Sequence, residues 1–165
     1  MMMFRNAWLT VFLGAAVFAS AQAGVSGALG AGEVTDSNGE KGAFGVAVKR
    51  GVRRDGTVVV GGHGHFARRT GNGGVTVNLL RADVVTVDGN TCHAEGRGGY
   101  IAVVDGQRTR KEGRVVIDVA DNRPPRSTEG DPDTFSITFT ATDNSVTYSF
   151  SGNVTRGDIR VGSRN

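Results

Sequence analysis

The stretch Thr134-Phe135-Ser136-Ile137-Thr138-Phe139-Thr140-Ala141 alternates without a break between a hydroxyl residue and an apolar one. Successive side chains of a strand point to opposite faces. The run therefore puts Phe135, Ile137, Phe139 and Ala141 on one face and Thr134, Ser136, Thr138 and Thr140 on the other. A segment of this kind belongs to an antiparallel sheet that is packed on one side and wet on the other. Working outward, the same period of two recurs. Downstream lie Val146/Tyr148/Phe150, interleaved with Thr147, Ser149 and Ser151, and then Ile159/Val161. Upstream lie Phe44/Val46/Val48, Val58/Val60/Gly62/Gly64/Phe66, Val75/Val77/Leu79, Val85/Val87, the segment around Cys92, Tyr100 to Val104, and Val115/Ile117/Val119. Asp88-Gly89-Asn90 and Asp105-Gly106 are hairpin-turn signals between them. The one place where a helical turn competes is Leu79 to Asp83, and the β-branched residues around it favour strand. The expectation is an all-β fold, an antiparallel meander of about 8–10 strands forming a β-sandwich or small β-barrel.

Composition agrees. The chain has 165 residues with 26 Gly, 3 Pro, 38% hydrophobic and 21% charged residues. Glycine without a three-residue period and with so little proline excludes collagen, and the apolar content excludes a disordered chain. The N-terminus carries Arg5, an apolar run from Ala7 to Ala19, and Ser20-Ala21-Gln22-Ala23 with small residues at −3 and −1 of a cleavage point. That pattern is a secretory signal peptide, too short in its apolar run for a membrane anchor. The expected organisation is therefore a signal peptide at 1–23, a flexible Gly-rich leader at 24–42, a single all-β domain at 43–162 and a tail at 163–165. The expected mature chain has no transmembrane segment and is secreted, to the periplasm, the cell surface or the medium. The whole chain carries a formal charge of +3, and loss of Arg5 lowers it further. So weak a field does not point to nucleic acid.

Several short motifs in the second half occur in a telling order: Asp88-Gly89-Asn90-Thr91, Gly98-Gly99-Tyr100, Val119-Ala120-Asp121-Asn122, Asp133-Thr134-Phe135-Ser136-Ile137, Tyr148 with Ser151-Gly152, and Gly157-Asp158-Ile159 with Val161. This succession resembles the bacterial post-choice-of-anchor (post-COAP) type of domain, over roughly residues 43 to 162. Gly62-His63-Gly64-His65-Phe66 and Phe44-Gly45-Val46 are similar to its earlier strands. The resemblance implies an all-β secreted or surface domain of unassigned biochemical role, and it supplies no catalytic residues.

Candidate sites each carry two readings. His63 and His65 share one strand face, as do His93 and Glu95. If their strands met, the four would make a Zn²⁺ or Cu²⁺ site in a ligand-binding barrel; otherwise they are solvent-facing residues. Asp118, Asp121, Glu129, Asp131 and Asp133 surround the longest connection and offer hard oxygens for Ca²⁺. The competing reading is that such residues cap turns. Lys49-Arg50, Arg53-Arg54, Arg68-Arg69, Arg108, Arg110-Lys111 and Arg114 form basic clusters. Gathered at one end of the fold they would bind an anionic polymer, a wall polysaccharide or a lipid headgroup, and otherwise they are solvated turns. Cys92 shares a face with Ala94 and is expected to be a buried, unreactive thiol. No nucleophile elbow, zinc-protease motif or phosphate loop is present. By parity, six of the seven aromatic rings beyond the signal peptide face inward, away from a sugar; Tyr100 fits either face. The expected function is an exported, non-catalytic module, structural or adhesive, at the cell envelope, whose partner is an envelope polymer or a surface protein. The alternative is the metal- or small-ligand-binding barrel.

Overall fold

A computed structural model of the chain describes residues 22–123 and 129–164. The signal-peptide reading falls almost wholly on residues 1–21, outside the described residues, as do Pro124 and Pro125 of the long connection.

Eight strands follow one another as an antiparallel meander: β1 (Gln22–Thr35), β2 (Lys41–Arg53), β3 (Val58–Thr70), β4 (Gly73–Asp88), β5 (Thr91–Val104), β6 (Gln107–Ala120), β7 (Thr134–Ala141) and β8 (Thr147–Arg164). Each pairs with the next, and β8 pairs back with β1, closing a barrel. The expected all-β class and meander are what the structure has, and closure decides between sandwich and barrel.

Three pairs of expected strands turn out to be single long ones. Val75–Leu79 and Val85/Val87 are both β4, the Cys92 segment and Tyr100–Val104 are both β5, and the Tyr148/Phe150 and Ile159/Val161 segments are both β8, with Val146 just before its start. The break in β4's alternation has a physical cause. Its register against β5 slips between Leu79 and Arg81 and again between Ala82 and Val84. Two bulges thus turn Leu79, Ala82 and Val85 inward at a spacing of three. That spacing is what gave the segment its helical look.

The expectation of a flexible leader at 24–42 is corrected. Gly24 to Thr35 lie in β1, which pairs with both β2 and β8. Its inward face is Ala28, Gly30, Gly32 and Val34, with Ala28 and Val34 buried. Residues so small carry the alternation too weakly to be read from sequence, but without this strand the meander would have two open edges. The tail expected at 163–165 is likewise shortened, since β8 runs to Arg164.

All seven aromatic rings among the described residues face the interior. Phe44 stacks on Phe135 and Phe66 packs at a tilt against Phe150, each pair with centroids 4.6 Å apart. Tyr100 stacks on Phe139 at 5.3 Å, continuing the inward parity of Cys92, Ala94, Gly96 and Gly98. The interior of this eight-stranded barrel is filled with side chains. Its outer wall carries the polar residues, among them the Ser and Thr of β7.

The ladders are not of equal reach. β3 pairs with β4 only from Gly64/Leu79 to Thr70/Gly73. The first part of β8 pairs with β7, and from Asn153 onward β8 pairs with β1 instead. The long β6–β7 connection covers the edge that β8 then leaves. Asp133 is buried, and its carboxylate accepts the Ile159 N–H through Oδ2 at 3.2 Å and the Asn122 and Arg123 N–H groups through Oδ1 at 2.9 and 3.1 Å. Asp121 Oδ2 accepts the Val161 N–H at 3.2 Å. These two carboxylates satisfy backbone N–H groups, as the capping reading of the loop expects.

Candidate functional site

The register places each candidate residue. His63 and His65 stand exposed on β3, opposite Ala47 and Gly45 of β2. His93 and Glu95 lie on the outer face of β5, with β4 between them and β3. His65 is level with Asn78 and hence with Gly99, whereas His93 is level with Thr86. From Gly99 to His93 is six residues of β5, about 20 Å along the strand. The four expected ligands therefore form two separate pairs. Among the described residues no group of three or more His, Cys, Asp or Glu side chains is placed to hold a metal ion.

His93 instead meets a carboxylate that sequence reading did not pair with it. Its Nδ1 lies 2.7 Å from Asp118 Oδ1, directly across the β5–β6 ladder, and its Nε2 lies 3.9 Å from Glu95 Oε2. The outer row continues as Thr86, His93, Asp118, Ser136 and Ser151. Asp118 thus stands between the imidazole and the serine hydroxyls. Acyl transfer by Ser136 or Ser151 would need the imidazole between acid and nucleophile, whereas Asp118 stands between them and His93; Thr86 is the hydroxyl residue on the imidazole's other side.

The basic residues do not gather at one end. Arg68, Arg69, Arg108, Arg110 and Lys111 lie toward the end with the β3–β4 and β5–β6 turns; Lys49, Arg50, Arg53 and Arg54 lie at the other, beside the β2–β3 turn. A third set of cations forms a row on the wall. Arg81 of β4 pairs with Arg97 of β5, and Arg97 with Arg114 of β6, whose other neighbour is Thr140 of β7. All three side chains are exposed. At a strand spacing of about 4.8 Å, three guanidinium stems stand abreast within about 10 Å. Like charges directly opposite destabilise a sheet, and the flanks of the row are relieved accordingly. Arg114 donates to both carboxylate oxygens of Glu95, a bidentate pair that holds the Glu95 carboxyl below the usual carboxylate range and raises the Arg114 guanidinium. Arg81 lies 3.3 Å from Asp83. Arg97, in the middle, has no carboxylate partner among the described residues.

These arginines line an open groove of about 860 Å³, together with Leu80, Glu112, Thr140, Thr142 and Asn144. A Cβ at Gly96 would fall on the Arg81 carbonyl oxygen, and one at Gly113 on that of Thr140. Only glycine fits so close to a neighbouring backbone at these two places. The lining also holds two carboxylates, Glu95, which Arg114 occupies, and Glu112; the unpaired Arg97 guanidinium, with hydroxyl and amide groups of Thr140, Thr142 and Asn144 nearby, is the part that suits a carboxylate, sulfate or phosphate group.

Of these residues, sequence reading found Arg114 and missed Arg81 and Arg97. Arg97 was within reach, because it keeps the outward parity of His93 and Glu95. Arg81 was hidden by the two bulges that shift its face.

No family model, no curated protein and no solved structure matches the chain. The resemblance to the post-COAP type of domain rests on the order of its short motifs alone.

Proposed function

We propose that the protein is an exported, non-catalytic β-barrel module of structural or adhesive type, acting at the cell envelope or beyond it. It holds an anionic envelope polymer in the Arg81–Arg97–Arg114 groove. The observation that carries this reading is Arg97, an exposed guanidinium set between two others and left without a counter-charge. Two further features support it. Aromatic side chains fill the interior, so recognition falls to the wall, and the groove lies along the wall where an extended polymer has access. Electrostatic binding of this kind weakens with added salt.

The test is calorimetric titration with polygalacturonate, with neutral dextran as control. Wild-type protein binds polygalacturonate and not dextran, and Arg97→Glu weakens binding at least tenfold. Equal binding of both polymers, or binding that Arg97→Glu leaves unchanged, contradicts the reading.

A further inference from the structure

Val58 to His63, the first half of β3, is hydrogen-bonded to β2 alone, because the ladder to β4 begins only at Gly64. The preceding turn shows which groups are left over. Arg53 N–H donates to Thr57 O at 2.9 Å, and bonded and non-bonded pairs alternate along an antiparallel ladder. Val59, Gly61 and His63 are therefore bonded to β2, while the N–H and C=O of Val58, Val60 and Gly62 face away from it. The ladder to β4 does not reach them, and among the described residues no turn or side chain bonds to them.

The other unpaired edges of the barrel are protected. Asp121 and Asp133 cover the edge of β8, and two bulges break that of β4 beyond Leu79. Val58–His63 has no such cover, and it contains no Lys, Arg, Asp, Glu or Pro to blunt it. Exposed apolar side chains collect at the split: Val58 on β3 is 48% exposed, and Leu80 and Val84 on β4 are 71% and 43% exposed.

Charge selects the occupant. The hairpin from residue 49 to 63 carries Lys49, Arg50, Arg53 and Arg54 against the single carboxylate of Asp55. None of the four cations has an ion-pair partner among the described residues, and Asp55 is already held by the Thr57 N–H at 2.9 Å. Two copies joined edge to edge would set these like charges against each other, which disfavours pairing of the chain with itself. We infer that the Val58–His63 edge takes up an extended, acidic segment of another protein as an added strand. The main chain of Val58, Val60 and Gly62 forms the ladder, and the four cations of the hairpin select negative charge.

The variant Val60→Pro removes an N–H that β2 does not use and sets a proline ring on the free edge, so the barrel tolerates it while strand addition does not. The probes are two capped eight-residue peptides, one alternating glutamate with valine and one alternating lysine with valine, followed by fluorescence anisotropy. Wild-type protein binds the glutamate peptide saturably and the lysine peptide not at all. Val60→Pro, checked for its fold by circular dichroism, binds at least tenfold more weakly, and the double variant Arg53→Glu/Arg54→Glu reverses the preference. If Val60→Pro does not fold, Val58→Pro at the first residue of the strand serves the same purpose. Equal affinity for the two peptides, affinity indifferent to the proline, or a wild-type homodimer that the proline dissolves overturns the inference. The binding that Val60→Pro removes persists in Arg97→Glu, which separates this edge from the arginine groove.

Discussion

At the residue scale, Cys92 shows how burial decides chemistry. It is 3% exposed, and burial, helped by the charge of Asp118, pushes its thiol up to about 11. A thiol that stays protonated is a poor nucleophile. Native protein at pH 8 is therefore expected to resist thiol reagents and to label only on unfolding, which a mass-spectrometric time course with and without denaturant reads directly. Because the folded value lies above the unfolded one, the contribution of this group to stability is complete below about pH 9 and is lost as pH rises through the folded value. The melting temperature should accordingly fall above pH 9. Phe139 is fully buried against Tyr100, so Phe139→Ala should cost about 3–5 kcal/mol in denaturant titration. Both inward assignments were legible as alternation. Tyr100 was not, because Ile101 and Val103 make its neighbours equally apolar, and only continuity with Cys92 and Ala94 along one strand settles its face.

Elements were legible where side chains are large and illegible where they are small. β7 reads at sight from three large apolar residues alternating with hydroxyls. β1 does not, since Gly and Ala supply most of its inward face, and what makes it a strand is pairing on both sides rather than any local preference. Bulges were illegible in turn, because they are set by the mismatch between neighbouring strands. The β6–β7 connection gives a test at this scale. Asp133→Ala leaves the Ile159, Asn122 and Arg123 N–H groups without their acceptor, and should cost about 2 kcal/mol or more. Hydrogen exchange should show the Ile159 and Val161 amides losing protection before those of β5 and β6. The arginine row is also a property of paired elements. Arg97→Thr removes a like-charge contact on each side and suits a strand, so it should raise stability by about 0.2–1 kcal/mol while abolishing polyanion binding. A gain in melting temperature with loss of binding is the signature of a residue kept for its ligand.

The whole molecule is a closed barrel whose interior is given to packing and whose wall is left for recognition. Closure was open in the sequence between sandwich and barrel, because it depends on β1 and on the register of β8, neither of which local patterning fixes. The candidate site was only partly legible for the same reason. Each strand showed which residues face outward, but which of them stand side by side is decided by register, and that register parted His63 and His65 from His93 while aligning Arg81, Arg97 and Arg114. The most direct test is to titrate isotopically labelled protein with polygalacturonate and follow its amide resonances. Shifts should concentrate on Gly96, Arg97, Gly98, Gly113 and Arg114, with the core around Phe66 and Phe135 undisturbed. Shifts confined to the His93–Asp118 row, or spread through the aromatic core, would contradict binding in the arginine groove.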